Sequence, residues 1–253
     1  MIGVFRRSKS SARPRLLDDG HISARVRHWP GRPDIAHLVL VDHTIAPSAS
    51  SLHEWVDTLR AEGYTSIRTG ALSGDAAERF EAMNFYEIQE LALLRLGASI
   101  STRIDSPVPH HEMRPLRTIR SMDIAARIDQ EAFDFGWQLD ALGIREACRA
   151  TPTHRIRLAL TSTAEPVGYM ITGRHGSAGF IQRLAVSPTH AGQGVATSLL
   201  QDGLKWLGKA GVSDILVNTH LDNQRALDLY HRLGFATLPE TLRVMQWDAP
   251  VEP

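Results

Sequence analysis

Gly192 and Gly194 stand two residues apart, between an apolar run at Arg183-Leu184-Ala185-Val186 and a helical pattern that opens Val195-Ala196-Thr197. A helix N-terminus carries unpaired backbone N–H groups and a partial positive charge. Strand, glycine turn and helix in that order make a cradle for a phosphate or pyrophosphate. The glycines admit the conformation and close backbone approach that such a cradle needs. Thr197 can add a hydroxyl donor. A tight turn without a ligand uses the same glycines, so this spacing leaves both readings open.

A second concentration of reactive groups runs from Asp129 to Asp140. Four carboxylates (Asp129, Glu131, Asp134, Asp140) alternate with Phe133, Phe135 and Trp137. Acidic groups attract a cationic amine, and Phe135 and Trp137 can form an apolar or cation–π wall. An amphipathic helix with an acidic solvent face and a core aromatic gives the same composition. Cys148 is the sole cysteine, which excludes an intramolecular disulfide and argues against a thiolate-ligated metal. His110-His111-Glu112 sits among Pro107, Pro109 and Pro115 and reads as linker. No metal is expected.

The elements around these groups follow from periodicity. A short strand is expected at 113–119, then a helix capped by Asp123 with Ile124, Ile128 and Phe133 on one face. A second helix is expected at 139–149. Strands follow at 155–161, 166–173 and 179–186. The helix after the glycine loop carries Ala196, Leu199, Leu200, Gly203, Leu204 and Leu207, and Gly208 and Gly211 end it. Then come a strand at 215–219, a helix at 223–233 closed by Gly234-Phe235, and a last strand at 242–247. The expectation is a mixed α/β sheet.

The first half echoes the end of this pattern. A helix at 51–62 carries Leu52, Trp55, Val56 and Leu59. Gly63, Ser66-Ile67 and residues 76–84 parallel Gly211, Asp214-Ile215 and residues 226–234, and Asn84-Phe85 stands where Gly234-Phe235 stands. Between Val39-Leu40-Val41 and the helix, however, residues 44–50 contain no glycine, and Pro47 removes a donor. The region of the first two helices is also missing. The division expected is a basic, flexible segment at 1–17, a degenerate partial copy at 18–97, a Ser- and Pro-rich linker at 98–112, and the cradle-bearing domain at 113–250.

The loop Ala191-Gly192-Gln193-Gly194-Val195-Ala196 and the later run Asn223-x-x-Ala226-x-x-x-Tyr230-x-x-x-Gly234-Phe235, in that order, resemble the motifs of the GCN5-related N-acetyltransferases. The likeness covers roughly residues 113–248, and the whole chain resembles tandem members with one worn half. It implies a mixed, mostly antiparallel, splayed sheet flanked by helices. It implies acetyl-CoA as co-substrate, with pyrophosphate on Gly192, Gln193, Gly194, Val195, Ala196 and Thr197, and the pantetheine arm along the backbone of Leu184, Ala185 and Val186. Ala191 replaces the family's Gln or Arg, which removes a side-chain donor. Asn223 is either an N-cap or also a cofactor contact.

The same resemblance assigns protonation of the departing thiolate to Tyr230; a core tyrosine is the competing reading. Where some members carry a glutamate base, this chain has Asn218. His220, on the same strand face, is the nearest substitute, with Glu131 and Asp129 as further candidates. Glu131, Phe135 and Trp137 are expected to line the acceptor side. The implied reaction is acetyl transfer to a primary amine of a small molecule, a peptide N-terminus or a lysine. A non-catalytic acyl-CoA-binding regulatory module is the alternative.

Composition narrows the partners. Lys plus Arg and Asp plus Glu both number 28, so the net charge is zero and gives no general attraction to nucleic acid or membrane. Arg6, Arg7, Lys9, Arg13 and Arg15 cluster at the N-terminus and read as a solvated basic segment. No signal-peptide core and no apolar run long enough to span a bilayer is present, so a cytoplasmic location is expected. Monomer and homodimer both remain open.

Overall fold

The computed structural model describes residues 14–42, 45–97, 111–116 and 118–250. Most of the basic segment at 1–17, most of the linker at 98–112, including His110, and Thr44 lie outside these residues. Contacts group the chain into two units, Met1–Glu90 with Leu242–Pro253, and Leu91–Thr241.

The first unit runs β1 (Arg15–Asp18), β2 (Ser23–Trp29), β3 (Arg32–Leu40), α1 (Ala49–Ala61), β4 (Ser66–Leu72), α2 (Gly74–Glu81) and the start of β5 (Tyr86–Leu96). Arg15–Leu17, read from sequence as the end of a flexible segment, belong to β1, paired with Arg25 and its neighbours on β2. β1, β2 and β3 are antiparallel. β3 and β4 run parallel, from Ile35↔Ser66 to Leu38↔Thr69. The last partner of β4 is the end of β11 (Ala236–Asp248), from Arg243↔Leu72 to Asp248↔Ser66. Alternating Ala24 and Val26, and Leu38 and Leu40, point into a core with Leu52, Trp55, Leu59, Phe80, Met245 and Trp247.

The second unit begins with the end of β5. It continues through β6 (Glu112–Pro115), α3 (Ile119–Ala132), α4 (Ala141–Arg149), β7 (Thr153–Leu160), β8 (Pro166–His175), β9 (Ala178–Val186), α5 (Val195–Lys209), β10 (Asp214–His220) and α6 (Gln224–Arg232) to the start of β11. Its strand order is β5-β10-β9-β8-β7-β6. β9 and β10 are parallel and the other neighbours antiparallel. The sheet is mixed, mostly antiparallel and open, flanked by helices. Each face carries a core. Leu199, Leu204, Ile215 and Tyr230 belong to one, Ala125, Ile128, Ile144 and Tyr169 to the other.

Four expectations are corrected. The strand expected at 113–119 is shorter, and Ile119 already opens α3. Thr118, not Asp123, caps that helix: its hydroxyl accepts from the Ser121 N–H at 3.2 Å, while Ser121 Oγ accepts from the Thr118 N–H at 3.1 Å. These reciprocal bonds satisfy donors that Asp123, inside the helix, does not reach. Leu139 lies outside α4, which Asp140 caps through the Gly143 N–H at 2.7 Å. Finally, β11 starts at Ala236, six residues before the expected position.

Candidate active site

β9 and β10 hold register over three pairs, Ala178↔Asp214, Ile215↔Gly179 and Leu216↔Phe180. Both strands then continue, β9 to Val186 and β10 to His220. On its other edge β9 stays paired to β8 as far as Val186↔Gly168. The edge of Leu184, Ala185 and Val186 that faces away from β8 is therefore where a peptide-like arm could add.

The loop at the end of β9 prepares a helix terminus. Pro188–His190 form a single 3-10 turn. Gly192 and Gly194 both take positive φ, 80° and 79°, which only glycine adopts without strain. Gly194 is the N-cap of α5, and no side chain caps the helix. A Cβ built at Gly192 would meet open space. Val195 is buried, Ala196 and Thr197 are half-buried, and Gly192 and Gln193 are exposed. Val195 sits low on the sheet because β8 has Gly168 beneath it, where a Cβ would lie 2.9 Å from Val195 Cγ1 and 3.0 Å from the Ala185 carbonyl oxygen. An uncapped helix N-terminus beside a strand with an open edge fits a pyrophosphate joined to an extended arm.

Tyr230 packs in one apolar cluster with Val195, Leu199 and Val217, against which Leu184 and Val186 also pack. The tyrosine, the start of α5 and the end of β9 thus border one core. Ala185 points to the opposite face, with Ala125 and Tyr169. The Tyr230 ring lies 5.6 Å from Phe235, and burial pushes its phenol well above the ordinary range. Asn223 is the N-cap of α6: its Oδ1 accepts from the Ala226 N–H at 3.2 Å, and its Nδ2 donates to Thr219 Oγ1 at 3.1 Å.

His220 is partly exposed at the end of β10 and pairs with Leu91 on β5. Its Nδ1 accepts from the Asp222 N–H at 3.1 Å. Assigned from that bond, the neutral ring carries its proton on Nε2, so its free nitrogen is a donor and not a base. Asn218, on the same strand, is exposed.

Among the residues expected from sequence to line the acceptor side, Glu131 leaves the last turn of α3 and accepts from Ser187 Oγ at 2.7 Å, one residue beyond β9. Phe135 is 75% exposed, whereas Trp137 is half-buried. Asp129, another candidate base, is fully buried, with its two oxygens accepting from Arg183, Tyr169 and the Leu139 N–H. A carboxylate so engaged has no lone pair to offer an amine. From the linker motif, His111 Nδ1 lies 3.3 Å from Ser198 Oγ on α5, and Glu112 pairs with Arg114.

Sequence reasoning missed Ser187 and Arg183. The visible signal was Arg183 itself, a lone cation in an otherwise uncharged run of β9. Asp129, at helical spacing from Ala125 and Ala132 on an apolar face, was its counterpart.

The site of the first unit differs. α1 is capped by Ser48, whose hydroxyl accepts from the Ser51 N–H at 3.1 Å. Ser51 Oγ in turn donates to Asp19 Oδ2. A carboxylate of the chain therefore lies next to the helix terminus, and its hydrogen bond from Ser51, with those from Ile22 and His21, lowers its pKa to about 2.

Residues 122–235 match the Acetyltransferase (GNAT) family. The chain therefore carries a domain of this family. It is 25% identical over 202 residues to a mycothiol acetyltransferase of Actinosynnema mirum, covering 70% of this chain and 68% of that protein. It is 40% identical over 57 residues to N-alpha-acetyltransferase 30 of Schizosaccharomyces pombe, covering 22% of this chain and 38% of that protein. Against a mycothiol acetyltransferase of an Arthrobacter species, at 31% identity, it spans 33% of the relative's length. A tandem GNAT protein from the clavulanic acid biosynthesis pathway shares the fold with a TM-score of 0.66 at 13% identity, covering 96% of this chain and 86% of that one. A GCN5-related N-acetyltransferase from Kribbella flavida superposes with a TM-score of 0.60 at 13% identity, covering 95% of this chain and 91% of that one.

Proposed function

We propose that the chain is an acetyl-CoA-dependent N-acetyltransferase that acts on a primary amine. The observation that carries this reading is the N-terminus of α5 at Gly194, which no side chain among the described residues caps, at the end of a strand whose outer edge has no strand partner beyond Phe180 among them. The backbone N–H groups of residues 192–197 hold the pyrophosphate, and the edge of Leu184–Val186 holds the arm. Acetyl-CoA supplies the acetyl group as an activated thioester. Tyr230 Oη, kept protonated by burial, holds the proton that the departing sulfur takes up. Glu131, beside Ser187, attracts and orients the cationic amine, with Phe135 as an exposed apolar contact. His220 Nε2–H is a donor at the end of β10. With His220 Nδ1 and the Asp129 carboxylate already engaged, Glu131 is left as the candidate base, and an α-amino group is favoured over a lysine because its ordinary pKa is lower by roughly two and a half units.

The first half serves as a worn, non-catalytic copy. Its α1 terminus carries Ser48 as cap and Asp19 as built-in anion, in place of the open Gly194. A second reading, a non-catalytic acyl-CoA-binding regulatory module, draws on Asn218 and on the spent lone pair of His220.

Thiol release from acetyl-CoA with a panel of small amines, peptides and lysine derivatives tests the choice. Release with at least one acceptor supports the enzyme. Binding of acetyl-CoA without turnover across the panel supports the regulatory module, and no binding at all removes both.

A further inference from the structure

We propose that Arg183 and Asp129 are positioning residues that hold the acceptor loop, residues 133–139, and through it set the affinity for the amine. The inference rests on the acetyltransferase reading for its acceptor part, while the hold on the loop stands on geometry alone.

The Asp129 carboxylate is fully buried on α3. It accepts from Arg183 Nε and Nη2, each at 2.8 Å, from the Tyr169 hydroxyl, and from the Leu139 N–H at 2.6 Å. Arg183 Nη2 also donates to the Trp137 carbonyl at 2.7 Å, and the guanidinium carbon lies 3.5 Å from the Phe133 ring centroid. Gln138 Nε2 donates to the carbonyls of Gln130, at 2.8 Å, and Phe133, at 3.0 Å. The loop is thus gripped at Phe133, Trp137, Gln138 and Leu139, and the stretch between the grips presents the exposed Phe135.

Arg183 directly precedes Leu184, so one guanidinium ties the strand proposed to hold the cofactor to the loop proposed to meet the acceptor. The geometry demands arginine: two parallel donors meet one carboxylate while a donor remains for a carbonyl in the same plane, which a lysine ammonium does not reproduce. A buried carboxylate that loses these donors is costly to keep, so the loop releases when the pair is broken.

The test compares wild type, Arg183→Lys and the milder Tyr169→Phe in the full chain, by hydrogen exchange and by kinetics. In Arg183→Lys, exchange of the Trp137 and Leu139 amides is expected to rise roughly tenfold or more, with a smaller rise in Tyr169→Phe. Acetyl-CoA affinity by calorimetry stays within about twofold, and KM for the amine rises roughly tenfold at a kcat within about threefold. Unchanged loop exchange in both variants overturns the positioning role. Acetyl-CoA affinity that falls as far as amine affinity also overturns it, because the effect is then general. Should Arg183→Lys fail to fold, Tyr169→Phe decides by the same readings. Should wild type acetylate no amine, the acetyltransferase reading and the acceptor part fall, and loop exchange still decides the hold.

Discussion

Phe80 occupies in the first unit the place that Tyr230 occupies in the second. Each sits five residues before a phenylalanine, and each packs its ring on it, Phe80 on Phe85 at 5.0 Å and Tyr230 on Phe235 at 5.6 Å. Between each pair the chain passes through a positive φ, 62° at Asn84 and 91° at Gly234. The same corner is built twice, once with a hydroxyl and once without.

Phe80 shows that the corner packs without the oxygen. Tyr230→Phe is therefore expected to change stability by no more than about 1 kcal/mol. If the hydroxyl delivers the proton to the leaving sulfur, kcat falls by roughly a hundredfold or more while acetyl-CoA affinity holds. Thermal unfolding, calorimetry and thiol release on one preparation check all three, and a wild-type rate would remove Tyr230 from the mechanism.

The rate at high pH offers an independent check. Burial raises the phenol of Tyr230 above its ordinary value near 10. Its acid form then persists through the ordinary tyrosine range, so kcat shows no descending limb up to about pH 10. A limb caused by Tyr230 near pH 8 or 9 contradicts this environment.

Acetyl-CoA should bind once per chain. Gly194→Trp places a bulky side chain at a φ of 79° in the cradle and is expected to abolish binding by calorimetry, with a backbone strain of about 1–2 kcal/mol. Retained affinity would sink the pyrophosphate assignment. In wild type, a second equivalent bound would mean that Asp19 and Ser48 do not close the terminus of α1.

Much of this site is local and therefore legible. The glycine pair ahead of α5, Asn223 ahead of α6 and the corner at Gly234-Phe235 each act within a few residues, and their spacing exposes them. The α3 cap was misplaced because Ser121 replaces the Glu or Gln that usually marks a capping box. Contacts between distant residues left no periodic trace. Arg183 and Asp129 are 54 residues apart, Ser187 and Glu131 are 56, and Ser51 and Asp19 are 32. Such pairs exist only once the sheet has formed.

Acid should weaken the first unit before the carboxylates titrate. His37, half-buried on β3 and edge-on to Trp29 at 4.8 Å, has its pKa lowered to about 3 by burial and by the charges of Arg27 and Arg68. An unfolded histidine, near 6.5, binds its proton earlier, so stability falls as pH drops from about 6.5 towards 3. His37→Gln is expected to flatten that part of the stability curve in urea unfolding between pH 7 and 4. An unchanged slope would place the sensitivity elsewhere.

Residues 243–248 complete the sheet of the first unit. Met245 N–H donates to Thr69 Oγ1 at 2.9 Å, Gln246 Oε1 accepts from Arg68, and Asp248 accepts from Ser66 and Tyr86. Met245 and Trp247 also fill its core. A ribosome delivers this strand more than a hundred residues after β4, its partner. The first unit can thus close only after residues 243–248 have been made, and until they emerge the edge of β4 and the pocket for Trp247 stay exposed to whatever else is in the cell.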